Sequence, residues 1–494
     1  MMKDAPLELP KKAILDNYEM CEGLYDEIFD TDQNAREHYK ILVEDFGKLK
    51  PEDYTKLNDY AKISFFNQGI TFAVYSENLK GVERIFPFDL MPRIIAAKEW
   101  EHVEKGLIQR NLAINHFLYD IYHDKKILRD KVVPADLVFS SNFYVREMIG
   151  INPPGNIYTH ICGTDIIRHN DGHYYVLEDN VRCPSGVSYV LSNRETMKKV
   201  FSNGFLHHDV RSIDDYPHQL LEMMVSMAPE GVDDPTCVVM SPGMYNSAYY
   251  EHSFLAQNMG IQLVEGRDLF VDKNFVYMKT IHGPTKVDVI YRRVDDEFID
   301  PLCFRADSYL GVPGLMSAYR AGNVTLINAP GTGVADDKAV YIYMPDIIRY
   351  YLNEEPILKN VRTYRCELED DYKFVMENMH NLVVKPVDES GGYGILIGSR
   401  ASQEELDEFR TLITGNRRKY IAQPIMSLSV HGTFIESESA FEQRHIDLRT
   451  FSLMSKDKQF VLKGGLSRVA LTRGSLVVNS SQGGGSKDTW VLEE

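Results

Sequence analysis

Apolar positions recur at helical spacing over much of the first 135 residues. Between Met91 and Tyr122 the chain is MPRIIAAKEWEHVEKGLIQRNLAINHFLYDIY, and its apolar residues return every three or four positions. That spacing places them along one side of a helix. It predicts a long amphipathic helix within a mainly helical N-terminal region, residues 1–135.

The pattern changes after that region. Residues 136–200 contain short apolar runs, DIIRH and HYYVLED, which Gly, Asn and Pro interrupt as in strands joined by loops. Residues 201–330 alternate in type: CVVMSP and IQLVEG are strand-like, SAYYEHSFLAQNMG between them is helical and ends at Gly260, and RDLFVDKNFVYMK is typical of a hairpin. Such alternation predicts a small α/β domain.

Residues 331–494 predict a second α/β stretch. A helical pattern, AVYIYMPDIIRYYL, is followed by strand-like runs at NLVVKPV, GILIGS, KYIAQPIM, HIDLRTFSL and QFVLKGG. The helical segment SQEELDEFRTLITG opens with Ser402 and Glu405 at the spacing of a capping box. The whole chain is therefore expected to be α/β or α+β, divided into four regions: 1–135, 136–200, 201–330 and 331–494.

Charge and composition narrow the choice of partners. The 494 residues include 72 Asp and Glu against 54 Lys and Arg, a formal charge of −18. An acidic surface repels phosphate backbones, which argues against nucleic acid. The six cysteines form no C-x-x-C pair, the first residues hold no apolar stretch of the signal-peptide kind, and no apolar run approaches the roughly 18 residues that span a bilayer. We expect a cytoplasmic protein that binds neither nucleic acid nor membrane.

A strand followed by a glycine-rich loop, NLVVKPVDESGGYGILIG, is the first candidate for nucleotide chemistry. The strand carries Lys385, and the loop carries Gly391, Gly392 and Gly394. Glycine lets backbone N–H groups turn towards a phosphate, and a lysine beside the loop adds a point charge. A plain hairpin with a glycine-rich turn accounts for the same residues.

The segment GTDIIRHNDGHYYVLEDNVRCPSG is a candidate magnesium site. Glu178 and Asn180 are two residues apart at the end of a predicted strand, so their side chains share one face. Asp165 precedes the neighbouring strand-like run. Magnesium prefers hard oxygen ligands, few of them from protein. The alternative is that Asp and Asn only end a strand in a turn.

Further basic residues have two interpretations each. Lys338 lies at the start of a predicted helix. It is either a second phosphate-binding lysine or an exposed residue of the first helical turn. Arg449 in DLRTFSL and Arg468 in GGLSRVAL lie in strand-like runs, where a charge must pair with a ligand anion or with an acid such as Asp447. The C-terminal run NSSQGGGSK, which ends at Lys487, is a flexible tail or another anion-binding loop.

Together these segments resemble the circularly permuted ATP-grasp proteins, type 2, and more distantly glutathionylspermidine synthetase and eukaryotic glutathione synthetase. The resemblance covers roughly residues 60–494, with matching strings that include GLIQRNLAIN, GTDIIRHNDGHYYVLEDNVRCPSGVSYVLSNR, MSPGMYNSAYYEHSFLAQNMGIQLVEGRDL, INAPGTGVADDKAVYIYMPDI, LVVKPVDESGGYG and VVNSSQGGGSKDTWVL. It implies a circularly permuted ATP-grasp fold with an N-terminal helical region and an inserted small α/β domain. Permutation explains why E-x-N precedes the two lysines.

The resemblance also implies roles for individual residues, with ATP and Mg²⁺ as cofactors. The implied magnesium ligands are Asp165, Glu178, Asn180 and Glu389. The implied nucleotide-binding residues are Lys338, Lys385, Glu389, Gly391, Gly392, Gly394, Gln423 and Arg449. The implied catalytic residues are Arg468 and Lys385, with Arg468 steadying the transferred phosphate. The substrate-specific residues of glutathione synthetase have no match here, so its substrates do not carry over.

The implied activity is ATP-dependent ligation of a carboxylate to an amine through an acylphosphate, with release of ADP and phosphate. The substrates would be small-molecule or peptide carboxylates and amines, and homo-oligomers are compatible with it. A phosphotransferase on the same site and a non-catalytic nucleotide-binding scaffold are the alternatives. The scaffold requires a broken site, whereas the candidate lysines and metal ligands are all present.

Overall fold

The computed structural model describes residues 14–15, 18–76, 79–389, 394–479 and 483–493. No helix in these ranges is long and apolar enough to cross a membrane. The α-helices are α1 (Lys40–Gly47), α2 (Pro51–Asn67), α3 (Ala97–Tyr122), α4 (Lys126–Arg129), α5 (Ala135–Phe139), α6 (Val187–Val200), α7 (Ser202–Leu206), α8 (Tyr216–Ser226), α9 (Tyr249–Met259), α10 (Leu315–Arg320), α11 (Lys338–Tyr341), α12 (Met344–Leu352), α13 (Glu369–Asn378) and α14 (Gln403–Gly415).

The strands in the same ranges belong to five sheets. In chain order they are β1 (Thr71–Ser76), β2 (Leu79–Ile85), β3 (Phe88–Ile95), β4 (Ile161–Arg168), β5 (Tyr174–Asn180), β6 (Cys237–Met240), β7 (Gln262–Val264), β8 (Leu269–Asp272), β9 (Phe275–Thr280), β10 (Gly283–Val287), β11 (Val289–Arg292), β12 (Thr325–Ile327), β13 (Lys359–Asn360), β14 (Tyr364–Arg365), β15 (Leu382–Pro386), β16 (Leu396–Ile397), β17 (Tyr420–Pro424), β18 (Val430–Ile435), β19 (Ala440–Met454), β20 (Gln459–Val461), β21 (Leu466–Val469) and β22 (Gly485–Val491).

The largest sheet positions most of the candidate site residues. Its order is β13-β5-β4-β19-β21-β22-β3, and β18 and β20 also pair with β19. On one face, Trp100 of α3 belongs to a buried apolar cluster that includes Ile166 of β4 and Leu448 of β19. Because side chains alternate along a strand, Asp165 and Arg449 project from the opposite face. The covered face anchors the strands, and the opposite face presents their charged groups.

A smaller antiparallel sheet, in the order β14-β17-β15-β16, forms a second unit. It has an apolar core of its own, in which Val375 of α13 and Leu406 of α14 are buried together with Val384 of β15. Lys385 lies on β15 and Gln423 on the neighbouring strand β17. This unit therefore brings those two side chains to the site on one rigid sheet.

The inserted α/β region is built as its alternating pattern predicts. β12, β11, β6 and β7 form a parallel sheet, and β8 and β9 form the predicted hairpin, which β10 extends. α9 ends at Gly260, whose φ of 70° lies in the left-handed region that glycine tolerates. The mixed α/β class is confirmed.

Two helix predictions are wrong in part. The stretch from Met91 to Ile95 belongs to β3, and the predicted helix begins only at Ala97. Almost all of β3 is buried, and a short continuous apolar run has no period that separates a buried strand from a helix. The segment AVYIYMPDIIRYYL is two helices, α11 and α12, with Pro345 in the first turn of α12. Proline is tolerated in the first turn because the N–H that it lacks would have no hydrogen-bond partner within the helix there.

The predicted capping box at the start of α14 is confirmed. Ser402 Oγ accepts from the backbone N–H of Glu405, and the Glu405 carboxylate accepts from the backbone N–H of Ser402. We expect Ser402→Ala to lower the free energy of unfolding of this unit by about 1 kcal/mol. Amide hydrogen exchange along α14 measures it. Ser402→Asp, which keeps an oxygen acceptor, serves as the control, and equal exchange in all three proteins would contradict the cap's role.

Candidate functional site

The register of the large sheet aligns charged residues from four strands. Asp165 on β4 lies opposite Arg449 on β19 and opposite Glu178 on β5. Asp447 on β19 lies opposite Arg468 on β21. Directly opposed residues on neighbouring strands share a face. Strand pairing thus gathers these five side chains on one surface.

Four of these groups form a continuous ionic chain. Arg449 donates to both carboxylate oxygens of Asp165, from Nε at 2.6 Å and from Nη2 at 2.8 Å. Arg468 Nη2 also donates to Asp165, at 2.8 Å, while its Nε donates to Asp447 at 2.8 Å. Paired forks of this kind fix both guanidinium planes. Asp165, Asp447 and Arg468 are buried and Arg449 is half-buried, so bulk water screens these charges only weakly.

Burial and charge act against each other in this chain. Burial raises the pKa of Asp165, but the guanidinium groups of Arg449 and Arg468 outweigh burial and hold that pKa well below its usual range. Burial raises the pKa of Asp447, and the single guanidinium of Arg468 only partly offsets the rise. Asp165 is therefore firmly ionised, and Asp447 is the acid whose charge depends most on Arg468.

Two lysines approach the same surface from different elements. Lys338, the first residue of α11, has its Nζ 3.3 Å from a carboxylate oxygen of Glu178 and donates to the backbone carbonyl of Glu389 at 2.7 Å. Lys385 Nζ donates to Gln423 Oε1 at 2.7 Å. Burial lowers the pKa of Lys385 to about 8; Glu178 raises it against that effect and the charge of Lys338 lowers it further.

These lysines line a cavity of about 140 Å³, called here the lysine cavity. Its charged walls come from both sheets, from α11 and from the segment after β15, and comprise Asp165, Glu178, Lys338, Lys385, Glu389, Asp447 and Arg468. The remaining walls are largely apolar, from Val383, Ile395, Ile397, Pro424, Met426 and Leu428, with Gln423 among them. A ligand with an anionic end and a flat apolar end matches such a division.

A second cavity of about 380 Å³, called here the arginine cavity, adjoins it. Glu178, Arg468 and Asn479 line both cavities, so the two share a wall. Asn180 and Arg449 line the arginine cavity and not the lysine cavity. The arrangement places two cavities on either side of one group of charged residues.

Sequence patterns missed Arg182, which lines the arginine cavity beside Asn180. Its Nε donates to Asp336 at 2.5 Å, and its guanidinium lies over the ring of Phe143, 4.1 Å from the centroid. Asp336 also accepts from the backbone N–H of Val181. The spacing Glu178, Asn180, Arg182 was the available signal, since residues two apart in an extended chain share a face.

Comparison with known proteins identifies the family of this chain. Residues 92–470, most of the chain, match the family "Circularly permuted ATP-grasp type 2". The chain belongs to this family. A protein of Synechocystis sp. that carries no assigned activity is 52% identical over 95% of this chain and 97% of its own length. A Frankia casuarinae protein provisionally named a glutamate–cysteine ligase is 39% identical over 94% of this chain but 53% of its own length.

A solved structure supports the fold of this ATP-grasp chain. The glutathione synthetase-like effector GSS30 from Globodera pallida, in its apo form, superposes with a TM-score of 0.58 and covers 90% of this chain and 98% of its own. Sequence identity between the two is 12%, so the likeness concerns the fold alone. The predicted family and its circularly permuted ATP-grasp fold are confirmed.

Most of the residues predicted for the ATP-grasp site meet around the two cavities. Gly394 lies in a turn with φ +66°, and a side chain there would approach Pro386. Gly391 and Gly392 lie outside the described residues. The C-terminal run is neither a tail nor an anion-binding loop from Gly485 onwards, because it forms β22 inside the large sheet. Lys487 is buried there and donates to Asp89 and to the Gly432 carbonyl.

The residues present fit a magnesium nucleotide. Lys338, Lys385 and Arg468 supply cationic groups around one cavity whose other walls are apolar. In the part of the chain that the structure describes, no three His, Cys, Asp or Glu side chains come together as a complete cation site. Magnesium would therefore need phosphate oxygens in its shell, as it commonly does. At Asp165 the ion would compete with two guanidinium groups, whereas among the described residues Glu178 forms an ion pair with Lys338 alone.

Proposed function

We propose that this ATP-grasp protein is an ATP-dependent carboxylate–amine ligase that forms an amide bond through an acylphosphate. The observation that carries the proposal is the shared wall: a cavity suited to a nucleotide meets a wider cavity at Glu178 and Arg468. A ligase needs this arrangement because its carboxylate substrate must reach the terminal phosphate. The Frankia relatives, provisionally named glutamate–cysteine ligases, agree with this class.

In this proposal the nucleotide occupies the lysine cavity. Its base would lie against the apolar walls beside Gln423, and its phosphates would lie at Lys338 and Lys385. Lysine ammonium groups suit phosphate oxygens as compact point charges. Magnesium, with ligands from the predicted set Asp165, Glu178, Asn180 and Glu389, would neutralise charge on the phosphates.

The reaction has two steps. A carboxylate oxygen of the acid substrate attacks the terminal phosphorus, which forms a C–O–P link and breaks the bond to ADP. The amine nitrogen then attacks the acyl carbon, forms the C–N bond and releases inorganic phosphate, while the nitrogen loses a proton. Arg468, held by Asp165 and Asp447, and Lys385 would stabilise the charge that spreads over the transferred group. Exclusion of water protects the acylphosphate from hydrolysis.

The acid and the amine would meet in the arginine cavity. Arg449 cannot turn freely towards a substrate, because Asp165 holds one edge of its guanidinium and the Ser185 carbonyl accepts from another nitrogen. Its role there is to keep Asp165 ionised and in place. Among the described residues, Arg182 donates a hydrogen bond through Nε alone and stacks on Phe143, so its terminal nitrogens are the ones we assign to a carboxylate substrate.

Magnesium nucleotide binding is the first test. We expect Mg-ATP at 100 times its Kd to raise the free energy of unfolding by about 2.7 kcal/mol, and Glu178→Gln to lose this gain because it removes a predicted ligand. Thermal unfolding with and without Mg²⁺ measures both. Glu404→Gln, an exposed change on α14, is the matched control. A wild-type protein that gains no stability at millimolar Mg-ATP would leave the proposal without support.

Amine dependence separates a ligase from a phosphotransferase. We expect ADP release from pooled carboxylic acids and amines to require both pools. Release that needs the acid pool or an alcohol but no amine would favour the phosphotransferase. Binding of Mg-ATP without any turnover would favour the scaffold.

A further inference from the structure

A third cavity, of about 560 Å³, lies between α2, β3 and β18 and is called here the aromatic cavity. Its volume falls within the roughly 300–1,000 Å³ of small-molecule sites. Most of its surface is apolar, and its large apolar side chains include Phe65, Phe86, Phe88, Phe434, Ile435 and Leu471. The proposed reaction does not use this space.

The charged groups in its lining already have partners. The Asp89 carboxylate accepts from Lys487 and from the backbone N–H of Phe434. Glu436 accepts from Asn58 at 2.6 Å and forms an ion pair with Lys62. A charged ligand that displaced a partner of buried Asp89 would do so at a desolvation cost. The Lys62–Glu436 pair lies at the exposed rim, so the buried part of the lining favours an uncharged apolar group.

The aromatic cavity adjoins the arginine cavity at one buried side chain. Phe86 lines both the aromatic cavity and the arginine cavity. Its ring is stacked on Tyr189 of α6, with centroids 4.1 Å apart, and Tyr189 also lines the arginine cavity. Phe86 is thus the partition between a charged space that suits reacting groups and an apolar space that suits a chain.

We propose that one substrate carries an extended apolar chain, whose reacting head lies in the arginine cavity and whose tail enters the aromatic cavity when the Phe86 ring turns aside. This inference rests on the proposed ligase function for the head group. The chain would belong to the carboxylate or to the amine, since either head would lie at the shared wall of Glu178 and Arg468. Phe86 and Tyr189 would select for the tail by contact along its length.

Chain-length dependence tests the proposal on the full chain. Calorimetric titrations use two series, hexanoate to decanoate and hexylamine to decylamine, below their micelle concentrations. We expect one series to gain about fourfold in affinity for each added CH₂, the increment for burying a methylene. The series that shows it identifies the substrate that carries the chain. No dependence on length in either series would overturn the inference.

Substitutions that fill the aromatic cavity provide a second test, with a matched control. Ala61→Trp and Leu471→Trp each place an indole in the aromatic cavity, and we expect each to reduce decanoate or decylamine binding at least tenfold. Ser226→Trp, in an unrelated surface cavity lined by α8, is the control and should bind as the wild type does. Leu471 is 40% exposed, so its substitution tests the site even where Ala61→Trp disturbs folding. Equal binding in wild type and Leu471→Trp would also overturn the inference.

A second measurement on the same proteins tests the ligase proposal independently of the apolar subsite. Mg-ATP stabilisation is measured on the same four proteins by thermal unfolding. Chain-length dependence without any Mg-ATP stabilisation would retain the apolar subsite and remove the ligase. Mg-ATP stabilisation without chain-length dependence would retain the nucleotide site and remove the apolar subsite.

Discussion

Replacing Arg468 by Met is expected to lower the free energy of unfolding by about 3–5 kcal/mol at pH 7. The substitution leaves Asp447 buried without its guanidinium partner and removes one of the two that hold Asp165. A buried charge that loses its partner keeps its desolvation penalty. Urea denaturation measures the loss, and ADP release should fall about 10²–10³-fold where turnover is detected.

The loss from Arg468→Met should depend on pH. Without Arg468 the pKa of Asp447 rises further above its unfolded value, so the folded protein binds a proton that the unfolded chain does not. Stability of the variant therefore recovers towards that of the wild type as the pH falls towards 5. The double variant Arg468→Met, Asp447→Asn should recover part of the loss at pH 7 because no carboxylate is then stranded. A loss below 1 kcal/mol in the single variant would contradict the ionic chain.

Lys385→Met is expected to stabilise the nucleotide-free protein by about 1–3 kcal/mol at pH 7 while it removes Mg-ATP binding. Burial holds the folded pKa of Lys385 at about 8, below the ordinary value of 10.5. Below pH 8 the wild type keeps a charge in a poorly hydrated place next to Lys338. Methionine fills the same space without that charge, so apo stability rises as the phosphate contact is lost.

The sign of the pH dependence follows from proton uptake. Between pH 8 and 10.5 the unfolded wild-type chain holds a proton on Lys385 that the folded protein has released, so wild-type stability rises with pH across this window. The variant lacks this rise, and the two curves should meet near pH 10.5. Unfolding free energies from pH 7 to 10.5 measure it, with exposed Lys373→Met as the control. Parallel curves for wild type and Lys385→Met would exclude a depressed pKa.

A protonated Lys385 also sets a limit on nucleotide binding. Mg-ATP affinity should weaken as the pH rises above 8, because the free protein then loses the charge that faces the phosphates. Bound phosphates would in turn raise the pKa of Lys385, because they favour its charged form. Lys385 thus lowers the stability of the nucleotide-free protein and supplies a positive charge for the proposed ligand, a common pattern at binding sites.

Local elements were predictable where the pattern had a clear period or a turn residue. The hairpin of β8 and β9, the end of α9 at Gly260 and the capping box of α14 all follow from neighbours within a few residues. The strand at Met91–Ile95 did not, since burial on both sides removes the alternation that identifies a strand. The family was predictable as well, because long motifs survive in the chain and match residues 92–470.

The candidate site was predictable as a set of residue types and not as a set of contacts. Glu178, Lys338 and Lys385 were named from local motifs, and they line one cavity. Arg182 was missed although it continues the spacing of Glu178 and Asn180, because its partner Asp336 lies 154 residues further along the chain. The aromatic cavity was invisible in sequence, since α2, β3 and β18 create it only when they pack.

By itself the sequence determined the family, several local elements and a set of candidate residues for phosphate and magnesium binding. Tertiary structure decided which charges pair. Arg449 meets Asp165 across 284 residues and Arg468 meets it across 303, through the register of β4, β19 and β21. It also placed Lys487 inside the sheet against Asp89 rather than in an anion-binding loop. A buried charge is stable only beside an opposite charge. The cross-strand register determines which residue supplies that opposite charge, whatever the separation of the two residues in sequence.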